Sequence, residues 1–442
     1  VLAITRAAAH KSRGYDSEAA RQYIREKFIE ANADGMTPYD WQVDVTEATK
    51  LGLDCIVIAG TGAGKTMPFA MPLLADETGR KIVVVISPLN ELERDQAERF
   101  RKMGLTATAI NKEDYSEKLH KDIEDRKYRM LLTGPEMALE HEKFSKLLRS
   151  PAFAKDIAAI VIDEAHCISQ WGDSFRKKYG ELGRLRALVP VGIPFLVTSA
   201  TLPPLVLSDI QTKLGFSTRS TFFVNLGNDR PNITPLVVHM KGGASDLSAL
   251  DFAVNEALAG GPLVKTLIFF NTRDLAYRGL QHLRKLLPDA YKDKIDFLHA
   301  LRGEDSKREV MARFRNNELS ILCATEAAGM GLDISDIRRV IQFMVPTSLS
   351  QWLQRYGRAG RDGKPAIAIL LAEQSVFKKV KPRTAKRDTA EDADDTDEDK
   401  VFQKKVEEGL RSWLEASNCR REVADEYFAN PPSERRNSLH YM

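Results

Sequence analysis

The chain has 442 residues, 43% of them hydrophobic, enough to bury the cores of two or three domains. Its 65 basic and 62 acidic residues leave a formal charge of +3, so bulk charge neither requires nor excludes a nucleic-acid partner. No apolar run is long enough for a membrane span, no secretory signal opens the chain, and the four cysteines (Cys55, Cys167, Cys323, Cys419) contain no C-x-x-C pair. A membrane partner, a disulfide framework and a complete zinc site are therefore not expected, and a reducing, intracellular setting is. The first residue, Val1, points to a processed chain or a fragment.

In chain order, residues Glu18 to Ala33 read as an amphipathic helix, and a turn at Asp34-Gly35 leads into another helix near Tyr39 and Gln42. A Gln amide donates and accepts at once, which suits an adenine edge, and the Tyr39 ring can stack on a base; a solvated Gln beside core aromatics is the open alternative. The apolar run Cys55 to Ile58 then meets Ala59-Gly60-Thr61-Gly62-Ala63-Gly64-Lys65-Thr66, with a helix expected from near Thr66. Strand, glycine loop and helix form the context in which backbone N–H groups turn onto a phosphate. There Lys65 can reach the outer phosphates of a nucleotide such as ATP, and Thr66 can hold Mg2+.

Lys81 to Ile86 is a second apolar run, ending in Ser87-Pro88-Leu89-Asn90 and followed by a polar helix through Asp95-Gln96. Met130 to Glu136 reads as a short strand and turn. Ile157 to Ile162 closes on Asp163-Glu164-Ala165-His166, and Pro194 to Val197 leads into Thr198-Ser199-Ala200-Thr201. Apolar runs without alternation imply parallel strands buried on both faces, hence a doubly wound α/β domain. In such a sheet Asp163 is placed to hold Mg2+, Glu164 to orient or deprotonate a water, and His166 to relay between nucleotide and nucleic acid. The alternative is an acidic helix start favoured by the dipole.

The aromatic and basic stretch Ser169 to Arg176 follows directly. Trp171, Phe175 and Arg176 suit stacking and phosphate contact on a single strand, or the aromatics are core. The pattern breaks near Gly227 to Asn232. A second α/β series follows: Thr266 to Phe270, Ile295 to Leu298, Leu319 to Cys323, Val340 to Phe343 and Ala366 to Leu370. Gln354 to Asp362 spaces arginines three apart, which on a helix is one face; Arg361, supported by Arg358, is the candidate finger for a transferred phosphoryl group, and a surface basic turn is the alternative. The expected divisions are 1–226, a linker at 227–236, a second domain at 237–375, a basic then acidic flexible insertion at 376–400, and a helical segment at 401–442.

In this order the motifs resemble superfamily-two helicases, and among them the RecQ family of DNA helicases. The resemblance rests on Ala59 to Thr66, Ser87-Pro88-Leu89 with Asp95-Gln96, the run Asp163 to Gly172, Gly329-Met330-Gly331 and Gly357 to Gly363. It implies an α/β fold of two tandem RecA-like domains plus a small helical C-terminal segment. It also implies ATP with Mg2+, and 3′ to 5′ movement on single-stranded DNA with separation of tailed duplexes. On this resemblance Gln42 reads adenine, Asp333 joins the nucleotide site, and Ser199 and Thr201 couple hydrolysis to movement. Ser87, Pro88, Gln170, Trp171, Phe175, Arg176, Asn271, Arg273 and Thr325 would face DNA. The chain departs from the family at Asp173, where His is usual, and at Tyr39, where Arg is frequent. Cys419-Arg420-Arg421 with Tyr427-Phe428 resembles only the middle of the family's zinc module, so no zinc is expected. Lys378 to Arg383 resembles a nuclear import patch, which implies a nuclear location in a eukaryotic cell, or is a solvated basic surface. A translocase that does not separate strands and an ATP-switched DNA-binding module are the other functions this pattern allows.

Overall fold

The computed structural model describes residues 1–32, 34–169, 177–326, 334–380 and 401–432. The chain packs into two compact units. Among the described residues, one comprises Val1–Asn228 with 428–432, the other Asp229–Tyr427.

The first unit is built on strands β1 (Asp54–Ile58), β2 (Ile82–Ile86), β3 (Ala107–Ile110), β4 (Met130–Thr133), β5 (Ile157–Ile162), β6 (Phe195–Ser199) and β7 (Thr221–Asn225). All pair in parallel, in the order β3-β4-β2-β5-β6-β1-β7. β2 and β6 are buried at every position, as unalternating apolar strands under helices must be. The order places β6 between β5 and β1, so the chain segments leaving β5 and β1 emerge at one edge of the sheet.

The second unit holds β8 (Ile233–His239), β9 (Thr266–Phe270), β10 (Ile295–Leu298), β11 (Ile321–Ala324), β12 (Arg339–Phe343) and β13 (Ala366–Ala372), parallel throughout in the order β10-β11-β9-β12-β13-β8. β8 begins inside the stretch 227–236 that the sequence presents as a linker. Past β13, Lys379–Val380 pairs antiparallel with Val401–Phe402, and helices Glu408–Glu415 and Arg420–Phe428 follow. Residues 381–400, the bulk of the expected insertion, lie outside the described residues.

Helices Leu2–Arg13 and Ser17–Ala31 brace helix Asp40–Lys50 through two carboxylates, Asp44 and the more buried Glu47, both of which accept from Arg6 and Arg21. The Glu47 side chain is fully buried. Its Oε1 accepts from Tyr15 Oη (3.2 Å) and Ser17 Oγ (2.5 Å). Its Oε2 accepts from Arg6 Nε (3.0 Å) and Arg21 Nη1 (3.2 Å). Burial disfavours the charge, but the bonds from Arg6, Ser17 and Arg21 outweigh it and hold the Glu47 pKa below its ordinary value. A depressed carboxylate contributes stability above the unfolded pKa and loses it as pH falls through the folded value. Glu47→Gln should therefore destabilise the protein by about 1–3 kcal/mol at neutral pH. In denaturant melts the gap to the native chain should close as the pH drops below the carboxylate range.

Candidate functional site

The loop after β1 turns on two glycines in left-handed backbone, Gly62 (φ 88°) and Gly64 (φ 81°), where any side chain would be strained. Space adds to the constraint at Gly64, where a Cβ would stand 2.6 Å from Gln42 Nε2. Thr61, Gly62 and Ala63 form the outer arc of the loop, and Ala63 N closes it on Gly60 O at 3.2 Å. Gly60 N is turned outward to Gly227 O at 3.0 Å. Lys65 Nζ folds back onto the carbonyls of Ala59 (2.7 Å) and Gly60 (3.1 Å). Helix Met67–Leu74 starts at once, with Thr66 as its N-cap and Pro68 in the first turn, where a missing N–H costs nothing. The Thr66 hydroxyl makes no capping bond.

Gln42 is a strut for this loop. Its Nε2 donates to Gly64 O (3.0 Å) and its Oε1 accepts from Tyr39 N (2.9 Å), so one amide hydrogen and one lone pair remain on a side chain that is 2% exposed. Tyr39 itself is 63% exposed at the N-cap of helix Asp40–Lys50.

At the same sheet edge, β5 delivers Asp163. Its Oδ1 accepts from Thr198 Oγ1 on β6 (2.8 Å) and from Glu164 N (2.9 Å), and its Oδ2 from Gln96 Nε2 (2.9 Å). Burial, then the charge of Glu164, raises the Asp163 pKa; Thr198, Gln96 and the Lys65 ammonium pull against that rise. A desolvated carboxylate whose charge is under-compensated, with a threonine hydroxyl on the neighbouring loop, is a hard-oxygen donor set of the kind Mg2+ takes. Glu164 sits in left-handed backbone (φ 49°, ψ 45°), a strained setting for a residue with a side chain. His166 Nδ1 lies 3.3 Å from Glu164 Oε2 and 3.1 Å from Ser199 Oγ, which in turn accepts from Thr201 N at 3.3 Å. Burial alone would lower the His166 pKa; Cys167 and then Glu164 beside the ring outweigh it and push it up to about 10. The ends of β5 and β6 are thereby joined by side chains.

Tyr179 is a contributor that the sequence did not reveal. It is fully buried, and its hydroxyl faces Asp163 O (2.8 Å) and Ile86 O (3.0 Å), pinning helix Lys177–Gly180 to the acidic turn. Ser87 is buried at the end of β2, with its N–H on Thr133 O at 3.0 Å, and Pro88 follows half-buried. Gln170, Trp171, Phe175, Arg176 and Asp333 lie outside the described residues.

In the second unit, Asn271 and Thr325 leave the adjacent strands β9 and β11. Asn271 Nδ2 donates to Val345 O (3.1 Å), and its Oδ1 accepts from Gln342 Nε2 (3.2 Å) and Arg355 Nη1 (3.3 Å). Thr325 N donates to Leu298 O at 3.2 Å, and Arg273 is exposed at the start of helix Arg273–Leu286.

The arginines depart from the expected shared helix face. Helix Leu349–Tyr356 stops at Gly357, so Arg355 is helical while Arg358 and Arg361 belong to the loop beyond. Gly360 turns that loop at φ 51°; a Cβ there would meet Asn232 Nδ2 at 2.6 Å and Lys364 O at 2.7 Å. The loop is held from outside. Arg230 donates to Gly357 O (3.0 Å), Ala359 O (3.1 Å) and Gly360 O (2.8 Å), and Asn232 Nδ2 to Gly360 O (2.7 Å) and Lys364 O (2.9 Å). Burial, and next the like charge of Arg361, lower the Arg230 pKa, which puts the Arg361 charge within reach of Arg230. Both clamping residues come from the Asp229-Arg230-Pro231-Asn232 stretch, whose turn-rich composition hides the role.

Residues 39–210 match the family model described as DEAD/DEAH box helicase, and residues 253–363 match the helicase conserved C-terminal domain. The probable ATP-dependent DNA helicase RecS of Bacillus subtilis is 32% identical over 343 residues, covering 76% of this chain and 64% of the relative. The ATP-dependent DNA helicase RecQ of Pasteurella multocida is 29% identical over 341 residues, covering 76% and 50%. The chain thus spans between half and two thirds of the length of these relatives. Among solved structures, the DUF1998 helicase MrfA bound to DNA aligns with a TM-score of 0.63 at 19% identity, covering 80% of this chain and 51% of that one, a likeness of fold alone.

Thr198→Val removes a donor that lowers the Asp163 pKa. The carboxylate should then protonate at higher pH, and the acidic limb of Mg2+-dependent nucleotide binding should move upward in a pH titration. An unshifted limb would mean that Asp163 does not report on the bound cation.

Proposed function

The chain belongs to the RecQ family of superfamily-two helicases, and on that premise we propose that it hydrolyses ATP to move 3′ to 5′ along single-stranded DNA and separate tailed duplexes. The observation that supports this most is the convergence of the phosphate loop and Asp163 on one edge of a parallel sheet, with Lys65 close enough for its charge to act on the carboxylate. Lys65 and the backbone of Gly60 to Thr66 would bind the nucleotide phosphates, with Thr66 and Asp163 holding Mg2+, which when bound neutralises phosphate charge.

Glu164 is then the group that orients the attacking water and takes its proton. His166 bridges it to Ser199, and Thr201 continues the path, so a change at the nucleotide can be felt along β6. Gln42 and Tyr39 would frame the adenine. Arg361, supported by Arg358, would meet the charge that develops on the transferred phosphoryl group. Asn271, Arg273 and Thr325 would contact the strand backbone, with Trp171, Phe175 and Arg176 as the stacking and sensing loop. In a eukaryotic cell such an enzyme would work in the nucleus. The acid at Asp173 favours a second reading, a translocase that moves without separating strands.

Strand displacement on matched duplexes with a 3′ or a 5′ single-stranded tail distinguishes these. Displacement confined to the 3′ tail is expected, with Lys65→Ala lowering it about 100-fold or more. Displacement from the 5′ tail would contradict the polarity, and DNA-stimulated hydrolysis without displacement would leave the translocase.

A further inference from the structure

The C-terminal helices of the second unit touch both supports of the arginine loop. One support is helix Leu349–Tyr356, which runs directly into Gly357. Trp413, on helix Glu408–Glu415, packs edge-on against Trp352 with ring centroids 6.0 Å apart, and both indoles are buried. Glu407 Oε2 accepts from Leu349 N (2.9 Å) and Leu410 N (3.1 Å), so one carboxylate caps the starts of two helices. Its Oε1 accepts from the Tyr427 hydroxyl.

The other support is the segment Asp229 to Ile233, whose Arg230 and Asn232 hold the loop carbonyls. Arg421, on helix Arg420–Phe428, grips that segment. Its guanidinium donates to the Asp229 carboxylate, to Arg230 O at 3.0 Å and to Ile233 O. The helix has little room to shift. A Cβ at Gly409 would stand 2.2 Å from the Tyr427 ring, and the Arg420 guanidinium lies 5.7 Å from the Trp413 ring centroid.

Arg421 and Asp229 are 24% and 22% exposed, so the pair is largely shielded from solvent and ties the two segments together. Three acceptors held by one planar fork fix the direction and spacing of the segment that clamps the loop. We propose that residues 401–428 form a brace for the arginine loop and that Arg421 is a positioning residue for Arg358 and Arg361. The brace works through contacts within one unit. Arg421 orders Asp229 to Ile233, Arg230 orders Gly357 to Gly360, and the loop presents its arginines.

This rests on the arginine role proposed above, so Arg361→Ala is assayed beside Arg421→Ala in DNA-stimulated ATP hydrolysis. Arg421→Ala should lower kcat about 10-fold or more, as misplacement of a charged group does, with KM for ATP and affinity for single-stranded DNA unchanged. Arg421→Lys, which keeps the charge but loses the fork, should recover only part of the rate. Asp229→Asn keeps the shape and the two carbonyl contacts, and guards against a misfolded Arg421 variant. It should cause a smaller fall in kcat, and combining it with Arg421→Ala should cost no more than Arg421→Ala alone. A native kcat in Arg421→Ala, or a loss shared equally with nucleotide affinity, would overturn the brace. If Arg361→Ala abolishes turnover while Arg421→Ala does not, the brace alone falls. If Arg361→Ala leaves kcat intact, the arginine role falls with it.

Discussion

A carboxylate taken out of water must be held by donors or by a cation, and Asp163 is where this structure meets that demand. Its donors come from three places in the chain: Gln96 from the helix after β2, Thr198 from β6, and the N–H of its own neighbour Glu164. Each such bond to a charged group contributes about 1.5–3 kcal/mol, yet burial and the adjacent Glu164 still leave the pKa raised. What remains is a demand for positive charge at the carboxyl edge of the sheet, beside the phosphate loop. The strand order makes this possible, because β6 sits between β5 and β1 and its threonine faces the acid. Tyr179 fixes the other side of the turn by holding the Asp163 carbonyl. Gln42 fixes the loop, and Glu47 anchors the helix that carries Gln42.

The second unit applies the same logic with opposite sign. A buried cation there, Arg355, donates to Gln342 and Glu326 and lies 5.3 Å from the Phe269 ring centroid, which anchors the end of the helix leading to Gly357. Past that helix end, the backbone carbonyls of the loop are themselves held. Arg230 and Asn232 satisfy those carbonyls, and Arg338 pairs with Asp362 on the far side, pulling the Asp362 pKa down to about 2.

Much of this was legible in the sequence. Uninterrupted apolar runs gave away β1, β2, β5, β9 and β12, because strands buried on both faces need no alternation. The phosphate loop and the acidic turn were legible because glycine spacing and paired acids after a strand have few other physical uses. Three strands were not. β3 is a four-residue run of small and polar side chains, and β7 and β8 are edge strands whose exposed positions dilute the apolar signal. The arginine spacing misled for a local reason: a period of three implies a helix face only where the helix continues, and Gly357 ends it. Arg230, Asn232, Tyr179 and Arg421 were invisible because their partners are backbone carbonyls, or a carbonyl plus a distant carboxylate, which leave no pattern in sequence.

The proposed activity requires that the strained acidic turn support nucleotide turnover in response to a DNA strand. The most direct measurement is the rate of phosphate release from ATP, with and without single-stranded DNA, in the native chain and in Glu164→Gln. Release should rise on adding DNA and be lost in Glu164→Gln while ATP binding persists. Release indifferent to DNA, or surviving in Glu164→Gln, would contradict the proposed activity.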